Sequence, residues 1–139
     1  APLTPEEQQK MRRHPILGVE VLNRLREYQD EPLVKMAREI CHWHHERYDG
    51  TGYPDRLEGE QIPISAQVVG LADAYDGLIA GRDGQQAVSY EEAADKIENG
   101  ACGAFNPLLL NCLSDAQSRI RDELEAFHPA GKKQLKPIG

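Results

Sequence analysis

Apolar residues recur at helical spacing along most of this chain. From Ile16 to about Tyr28 they lie three to four residues apart, and the same spacing returns in the segment that Pro32 opens. A further apolar row runs from about Ile64 to Ala80 and contains two aspartates. Alternation of apolar and polar residues, which is typical of strands, does not extend over a useful length. The pattern therefore predicts an all-α fold of about five to six helices.

Local signals place the helix boundaries. Thr4-Pro5-Glu6-Glu7 combines an N-cap, a proline in the first turn and a reciprocal glutamate, which predicts a short helix to about Arg13. His14-Pro15 interrupts that helix, because proline disfavours helical geometry in the residue before it. Ser89 with Glu92 predicts another capping box, for a helix to about Asn99. Asn106-Pro107 predicts the start of the last helix.

The connection between the third and fourth helices is unusual. Residues 48–63 hold three glycines, two prolines and several acids, and they form a longer connection than most inside a domain. Connections of this length are usually functional or disordered. We expect an ordered, functional loop.

Composition narrows the class of protein. The 139 residues suit one domain, with 40% hydrophobic and 28% charged residues. The formal charge of −7 argues against a broad nucleic-acid or anionic-membrane surface, and no apolar run reaches the roughly 18 residues of a membrane span. Three cysteines without C-x-x-C spacing suggest neither a disulfide framework nor a thiolate zinc site. We expect a cytoplasmic piece of a longer protein, with one domain over residues 1–127 and a polar tail over residues 128–139.

The candidate chemistry is that of a metal site. Histidines lie at the helix break (His14) and near the end of the third helix (His44 and His45), and Asp73 and Asp76 lie in the apolar row of the fourth. Imidazole and carboxylate ligands suit iron, manganese or zinc. Adjacent histidines on a helix point about 100° apart, so a binuclear site is the natural interpretation.

Plainer interpretations exist for several of these residues. A histidine before a proline, such as His14, is more often a capping or packing residue than a ligand. His42 lies off the stripe of Ala37, Ile40 and His44, and His128 lies near the end of the last helix, where imidazole commonly complements carbonyls. Both are therefore interpreted as non-ligands. We expect Asp73 to lie in a buried stripe, where a carboxylate must be paired or bound to a cation. Asp76 is either its partner or a residue at the rim.

One segment resembles a known family. Residues 44–54, HHERYDGTGYP, match in full the HHExxDGxGYP signature of the HD-GYP family, bacterial metal-dependent phosphodiesterases that hydrolyse cyclic di-GMP. The likeness extends to Leu3-Thr4-Pro5-Glu6-Glu7, to residues 57–63, to residues 72–76 and to Phe105-Asn106-Pro107. It covers roughly residues 1–115.

The resemblance implies a fold and a set of site residues. The fold is an HD-type helical bundle with a long ordered loop around the Gly-Tyr-Pro sequence. The implied metal ligands are His14, His44, His45 and Asp73. Gly52, Tyr53 and Arg82 would face the substrate, with Arg82 as the phosphate contact. Glu46 and Asp49 would support the site by orienting the histidines and capping the loop.

The resemblance also implies cofactors and partners. The full-length parent would hydrolyse cyclic di-GMP to linear pGpG or GMP with two or three divalent ions, iron or manganese. An N-terminal receiver or sensor domain would accompany it, and in some family members diguanylate cyclase domains bind through the loop. No DNA or RNA duplex and no membrane contact is expected.

Two departures from the family pattern matter. No His-Asp dipeptide occurs in this chain, although the family takes further ligands from a helix upstream of Leu3-Thr4. Metal should therefore be incomplete or absent in this chain. An apolar face should also be exposed and covered by a homo-oligomer, the alternative being that the first helix, Thr4 to Arg13, moves into the vacant place. Arg82-Asp83-Gly84-Gln85 also lacks the usual Tyr-Lys pair. This departure leaves two alternatives open: a degenerate module that binds a partner or nucleotide without catalysis, and a hydrolase of another phosphorylated nucleotide.

Overall fold

A computed structural model describes residues 4–82 and 85–127 of the chain, so the predicted tail over residues 128–139 lies outside the described residues. The α-helices, in chain order, are α1 (Pro5–Met11), α2 (His14–Leu22), α3 (Pro32–Trp43), α4 (Ile64–Ala80), α5 (Tyr90–Glu98) and α6 (Pro107–Phe127). Two short 3-10 helices, Arg26–Tyr28 and Gly59–Gln61, lie in the connections. The β-type pairing among the described residues is one isolated bridge between Asp49 and Glu58. The predicted all-α class is confirmed.

The predicted N-caps form at the starts of α1 and α5, and the full capping box is described at α1. The Glu7 backbone N–H donates to Thr4 Oγ1 over 3.3 Å, and the Thr4 N–H donates back to the Glu7 carboxylate over 2.8 Å. At α5 the Glu92 N–H donates to Ser89 Oγ over 3.1 Å. Such caps satisfy backbone donors that have no partner within the helix.

Helix α2 ends earlier than its apolar spacing predicts. The prediction ran to about Tyr28, but α2 stops at Leu22 and a separate 3-10 turn follows. The Gln29 side-chain amide donates to the carbonyl oxygens of Leu22 and Leu25 over 3.0 and 2.9 Å. It thereby satisfies carbonyls that a continuing helix would have bonded.

The buried core lies in the C-terminal half of the described chain, where α4, α5 and α6 meet. Its buried members are Leu71, Tyr75, Ala93, Ala94, Ile97, Phe105 and Leu113. Helix α3 packs on α4 from the other side, and α2 packs on α3. None of the described helices is long and apolar enough to cross a membrane.

The prediction that Asp73 lies in a buried stripe of α4 is wrong. The buried residues of α4 are Ala66, Gly70, Leu71 and Tyr75, whereas the side chains of Asp73 and Asp76 are 40% and 64% exposed. Leu71 and Tyr75 face the core, and a residue two positions from each lies about 160–200° round the helix. Asp73 therefore points away from the core.

The N-terminal half carries apolar side chains that the described residues leave exposed. Along α3, Leu33 is 77% exposed and Met36 is also exposed. Ala37, Ile40 and Cys41 are only half-buried. On α2 the exposed residues Leu17 and Val21 follow His14 at positions i+3 and i+7, which places them on one helix face.

Candidate metal centre

Three histidine rings converge where α2 begins and α3 ends. His14 is the first residue of α2, His44 caps the end of α3, and His45 follows it. His14 Nε2 lies 3.2 Å from His44 Nε2 and 3.1 Å from His45 Nε2. One ligand atom from each of the three residues lies within 4.8 Å of the others. The structure thus brings together three of the four predicted ligands.

Backbone carbonyls orient two of these rings. His14 Nδ1 lies 2.7 Å from the Met11 carbonyl oxygen, and His44 Nδ1 lies 2.8 Å from the Ile40 carbonyl oxygen. A carbonyl only accepts hydrogen bonds, so each Nδ1 carries the proton and donates it. In a neutral imidazole the Nε2 atom then carries a lone pair. Both lone pairs are directed to the place where the three rings meet.

The donor set fits a cation. Two nitrogen lone pairs a little over 3 Å apart repel each other unless a proton or a metal ion lies between them. Two nitrogens that each bound one ion at about 2.1 Å would themselves lie about 3.0–3.4 Å apart, for ligand angles between a right angle and the tetrahedral angle. The observed separations of 3.1 and 3.2 Å fall in that range. Neutral imidazole is the form of histidine that binds metals.

His45 is held in this neutral form. Burial, followed by the neighbouring His44 and His14, lowers the pKa of His45 to about 4. Burial acts this way because it removes water from around the imidazolium. The His45 lone pair is therefore available at neutral pH.

Glycines allow neighbouring segments to approach the histidine segment closely. A Cβ on Gly70 of α4 would lie 2.4 Å from the His44 carbonyl oxygen, and one on Gly52 would lie 2.4 Å from Glu46 Cα. Any side chain at either position would force the segment to shift. These two contacts fix the histidine segment against α4 and against its own loop.

Asp73, the fourth predicted ligand, lies outside the histidine group and binds an arginine. Arg82 Nη1 donates to Asp73 Oδ1 over 2.6 Å, and Arg82 Nη2 donates to Asp76. Gly81 adopts a left-handed backbone with φ 64°, which turns the chain at the end of α4 so that Arg82 reaches back. The hydrogen bond to Asp73 raises the pKa of Arg82 above its usual value. The predicted phosphate contact is thus ion-paired here.

Glu46 organises the loop around the Gly-Tyr-Pro sequence. Its side chain is buried, with the residue only 5% exposed, and its two oxygens accept the backbone N–H groups of Asp55, Arg56 and Leu57 over 2.7, 3.1 and 3.1 Å. Such bonds stabilise a buried carboxylate. The Trp43 indole N–H donates to Asp55 Oδ2 over 2.8 Å and ties the same turn to α3. The three bonds that Glu46 accepts all come from the loop, which is the pattern expected of a loop-capping residue.

Asp49 supports the loop nearby. Its carboxylate accepts from Thr51 Oγ1 over 2.7 Å and from the Thr51 backbone N–H over 3.1 Å. The hydroxyl bond, and then the backbone bond, lowers the pKa of Asp49 below its ordinary value. Asp49 shapes a turn at the surface.

Tyr53 joins the loop to the histidines. Its ring stacks on His45 with centroids 4.8 Å apart and an angle of 13° between the planes. The Arg12 guanidinium carbon lies 5.2 Å from the centre of the same ring. The sequence interpretation missed Arg12; its position two residues before His14 was the available signal.

Of the other histidines, His42 stacks on Trp43, outside the group of three, and His128 lies outside the described residues.

Comparisons with known proteins agree with this geometry. A family model described as an HD domain matches residues 1–107. A probable cyclic di-GMP phosphodiesterase of Vibrio cholerae is 36% identical over 127 residues, which cover 90% of this chain and 29% of that protein. A cyclic di-GMP phosphodiesterase of Thermotoga maritima is 33% identical over 144 residues, covering 99% of this chain and 38% of the relative.

A third relative is named for another dinucleotide. A 3′3′-cGAMP-specific phosphodiesterase of Vibrio cholerae is 37% identical over 103 residues, covering 74% of this chain and 19% of the relative. The chain therefore spans between about a fifth and two fifths of the length of these curated relatives. Since the family model matches well over half of the chain and the HHExxDGxGYP signature is complete, this protein belongs to the HD domain family as a member of its HD-GYP type.

Proposed function

We propose that this chain is part of a metal-dependent phosphodiesterase that hydrolyses cyclic di-GMP to pGpG or GMP. The convergence of three histidine Nε2 atoms beside the Gly-Tyr-Pro loop carries the proposal. The names of the relatives support the substrate class, because two of those described are cyclic di-GMP phosphodiesterases.

The proposed metal ligands are His14, His44, His45 and Asp73. Two or three divalent ions, iron or manganese, are held in the full-length protein, with further ligands from a segment outside this chain. When bound, such ions polarise a phosphoryl oxygen and lower the pKa of a bound water. The histidine rings contribute neutral donors, and two of them are already oriented by carbonyls.

Asp73 would hold an ion after exchanging its present partner, Arg82. It now binds Arg82, and both side chains are about half exposed, so their ion pair is weak enough to break. Release of Asp73 leaves the Arg82 guanidinium facing a cavity of about 290 Å³ that His45, Arg47 and Asp73 also line. A forked guanidinium in this place suits a phosphate oxygen. We assign Arg82 to the phosphate of the substrate, and Gly52 and Tyr53 to the loop beside it.

The exposed apolar stripes of α2 and α3 indicate that another polypeptide segment packs on them in the full-length protein. Leu17 and Val21 share a face with His14, and Leu33 and Met36 precede His44 at helical spacing. In the full-length protein a helix outside this chain covers these stripes and carries the further ligands.

The chain by itself associates with a second copy through the same face. Light scattering should show a dimer or larger species, and a monodisperse monomer would contradict this association.

The whole protein has signalling partners in this proposal. A receiver or sensor domain regulates the site from the N-terminal side, and the Gly-Tyr-Pro loop offers a contact for diguanylate cyclase domains. The compartment is the cytoplasm, where cyclic dinucleotides act as internal messengers.

Hydrolysis assays on the full-length protein test the catalytic proposal. Asp73→Asn should lower bound manganese or iron and abolish cyclic di-GMP hydrolysis. Asp76→Asn is the matched control, since it also removes a carboxylate that binds Arg82. This variant should retain most of the bound metal and most of the hydrolysis activity. Equal metal content in wild type and Asp73→Asn would remove Asp73 from the ligand set. Assays with 3′3′-cGAMP beside cyclic di-GMP decide between the two substrates.

A second candidate function rests on Arg82. Both of its terminal nitrogens bind carboxylates, and the segment after it lacks the family's Tyr-Lys pair. A degenerate module would bind the dinucleotide or a partner without cleaving it. Binding of cyclic di-GMP with no product after prolonged incubation with manganese would favour this candidate.

A further inference from the structure

The segment after α3 is tied to the connection between α5 and α6. The Tyr48 backbone N–H donates to the Ala104 carbonyl oxygen over 2.9 Å. The Arg47 Nε–H donates to the Cys102 carbonyl oxygen over 2.8 Å. One backbone bond and one side-chain bond therefore fasten residues 47–48 to a part of the chain more than fifty positions away.

Arg47 also binds the backbone on both sides of His45. Its Nη1 donates to the Glu46 carbonyl oxygen over 2.9 Å and lies 3.5 Å from the His44 carbonyl oxygen. The carbonyl groups of the two residues that flank His45 thus meet the same guanidinium nitrogen. This arrangement restrains the direction in which the His45 side chain leaves the backbone.

The guanidinium is itself held in place by its surroundings. Its central carbon lies 5.0 Å from the centre of the buried Phe105 ring, a separation suited to a cation–π contact. Gly103 leaves room for the side chain, because a Cβ there would lie 2.7 Å from Arg47 Cδ. Burial lowers the pKa of the Arg47 guanidinium relative to an exposed arginine.

We propose that Arg47 is a positioning residue that fixes His45, and with it the three-histidine group, against the α5–α6 connection. The family signature leaves this position open, so the role follows from the contacts and not from the motif. The inference rests on the proposed function in that the group held by Arg47 is the metal-binding group. A lysine cannot reproduce the fork, since Nε and Nη1 bind different carbonyls.

The test compares Arg47→Met with Arg38→Met in this chain. Arg38 is a matched control, because it is a half-buried arginine of α3 whose Nη1 donates to Gln29, away from the histidines. Two readouts are taken: Zn²⁺ affinity by calorimetry, and nuclear Overhauser contacts between the His45 and Tyr53 rings in metal-free protein. Thermal unfolding is recorded for each variant.

Arg47→Met should weaken Zn²⁺ binding by at least about 10-fold, the lower end of the loss seen when a residue supporting metal ligands is removed. It should also lose the ring contacts, and Arg47→Lys should restore them in part through its bond to the Glu46 carbonyl. Arg38→Met should keep both readouts even if it unfolds at a lower temperature. If Arg47→Met keeps the ring contacts, or if Arg38→Met loses affinity equally, the positioning role is wrong. If the wild-type chain binds no Zn²⁺, binding requires the ligands outside this chain, and the ring contacts alone decide the role of Arg47.

Discussion

Tyr53 stacks on His45 with nearly parallel rings whose centroids are 4.8 Å apart. The contact joins the Gly-Tyr-Pro loop to one of the three converging histidines. Arg12, at the end of α1, lies over the same tyrosine ring. A change in the loop therefore acts directly on the orientation of His45.

Tyr53→Leu should destabilise the chain because it removes this aromatic contact. A pair of stacked aromatic rings contributes about 0.5–1.5 kcal/mol beyond the area it buries. We expect a loss of about that size in the free energy of unfolding, measured by urea denaturation. Tyr53→Phe keeps the ring and serves as the control. An equal loss in both variants would show that the stacking does not stabilise the fold.

Glu46→Ala should destabilise the loop more than Asp49→Ala does. The substitution leaves three backbone N–H groups without their carboxylate, and a hydrogen bond to a charged group contributes about 1.5–3 kcal/mol. We expect a loss of about 3 kcal/mol or more in the free energy of unfolding. Asp49→Ala, which removes an exposed carboxylate from the same loop, is the control and should cost less. A smaller effect for Glu46→Ala than for Asp49→Ala would contradict the loop-capping role.

The metal-free chain should lose stability as the pH falls below about 6.5. The pKa of His45 is lowered to about 4 in the folded chain, whereas the unfolded chain has the ordinary value of 6.5. The unfolded state therefore binds more protons between these two values, so the free energy of unfolding rises with pH across this window. Urea denaturation at several pH values measures the slope. His45→Gln should flatten it, and an unchanged slope would assign the effect to other groups.

The cysteines should differ in their reaction with iodoacetamide. Burial raises the pKa of the Cys102 thiol, whereas Cys112 is exposed. Alkylation requires the thiolate, so Cys112 should react first at pH 8. Mass spectrometry of peptides from a time course distinguishes the two sites. Faster labelling of Cys102 would mean that the α5–α6 connection opens in solution.

The sequence predicts most helix starts because short-range chemistry decides them. Thr4 with Glu7 forms the predicted cap at α1, and Asn106 accepts the Leu108 N–H over 2.9 Å at the predicted start of α6. The signature likewise places His44 and His45 at the end of a helix. These features depend on residues within a few positions of each other.

The other features of the fold and the site depend on contacts that the spacing of apolar residues along the sequence does not specify. Helix α4 is apolar on several sides, so its periodicity leaves open which face meets α5, and Asp73 was placed on the wrong one. The early end of α2 depends on Gln29, which lies seven residues beyond Leu22. The role of Arg47 requires the position of Cys102, which only the folded chain supplies.

A Zn²⁺ titration of this chain followed by NMR of the histidine rings tests the central claim most directly. We predict at most one ion per chain, with simultaneous changes at Nε2 of His14, His44 and His45, and with Nδ1 of His14 and His44 still protonated. Each of the three histidine-to-alanine variants should lose the binding. Saturation that leaves these three rings unchanged, or two or more tightly held ions per chain, would contradict the proposed centre.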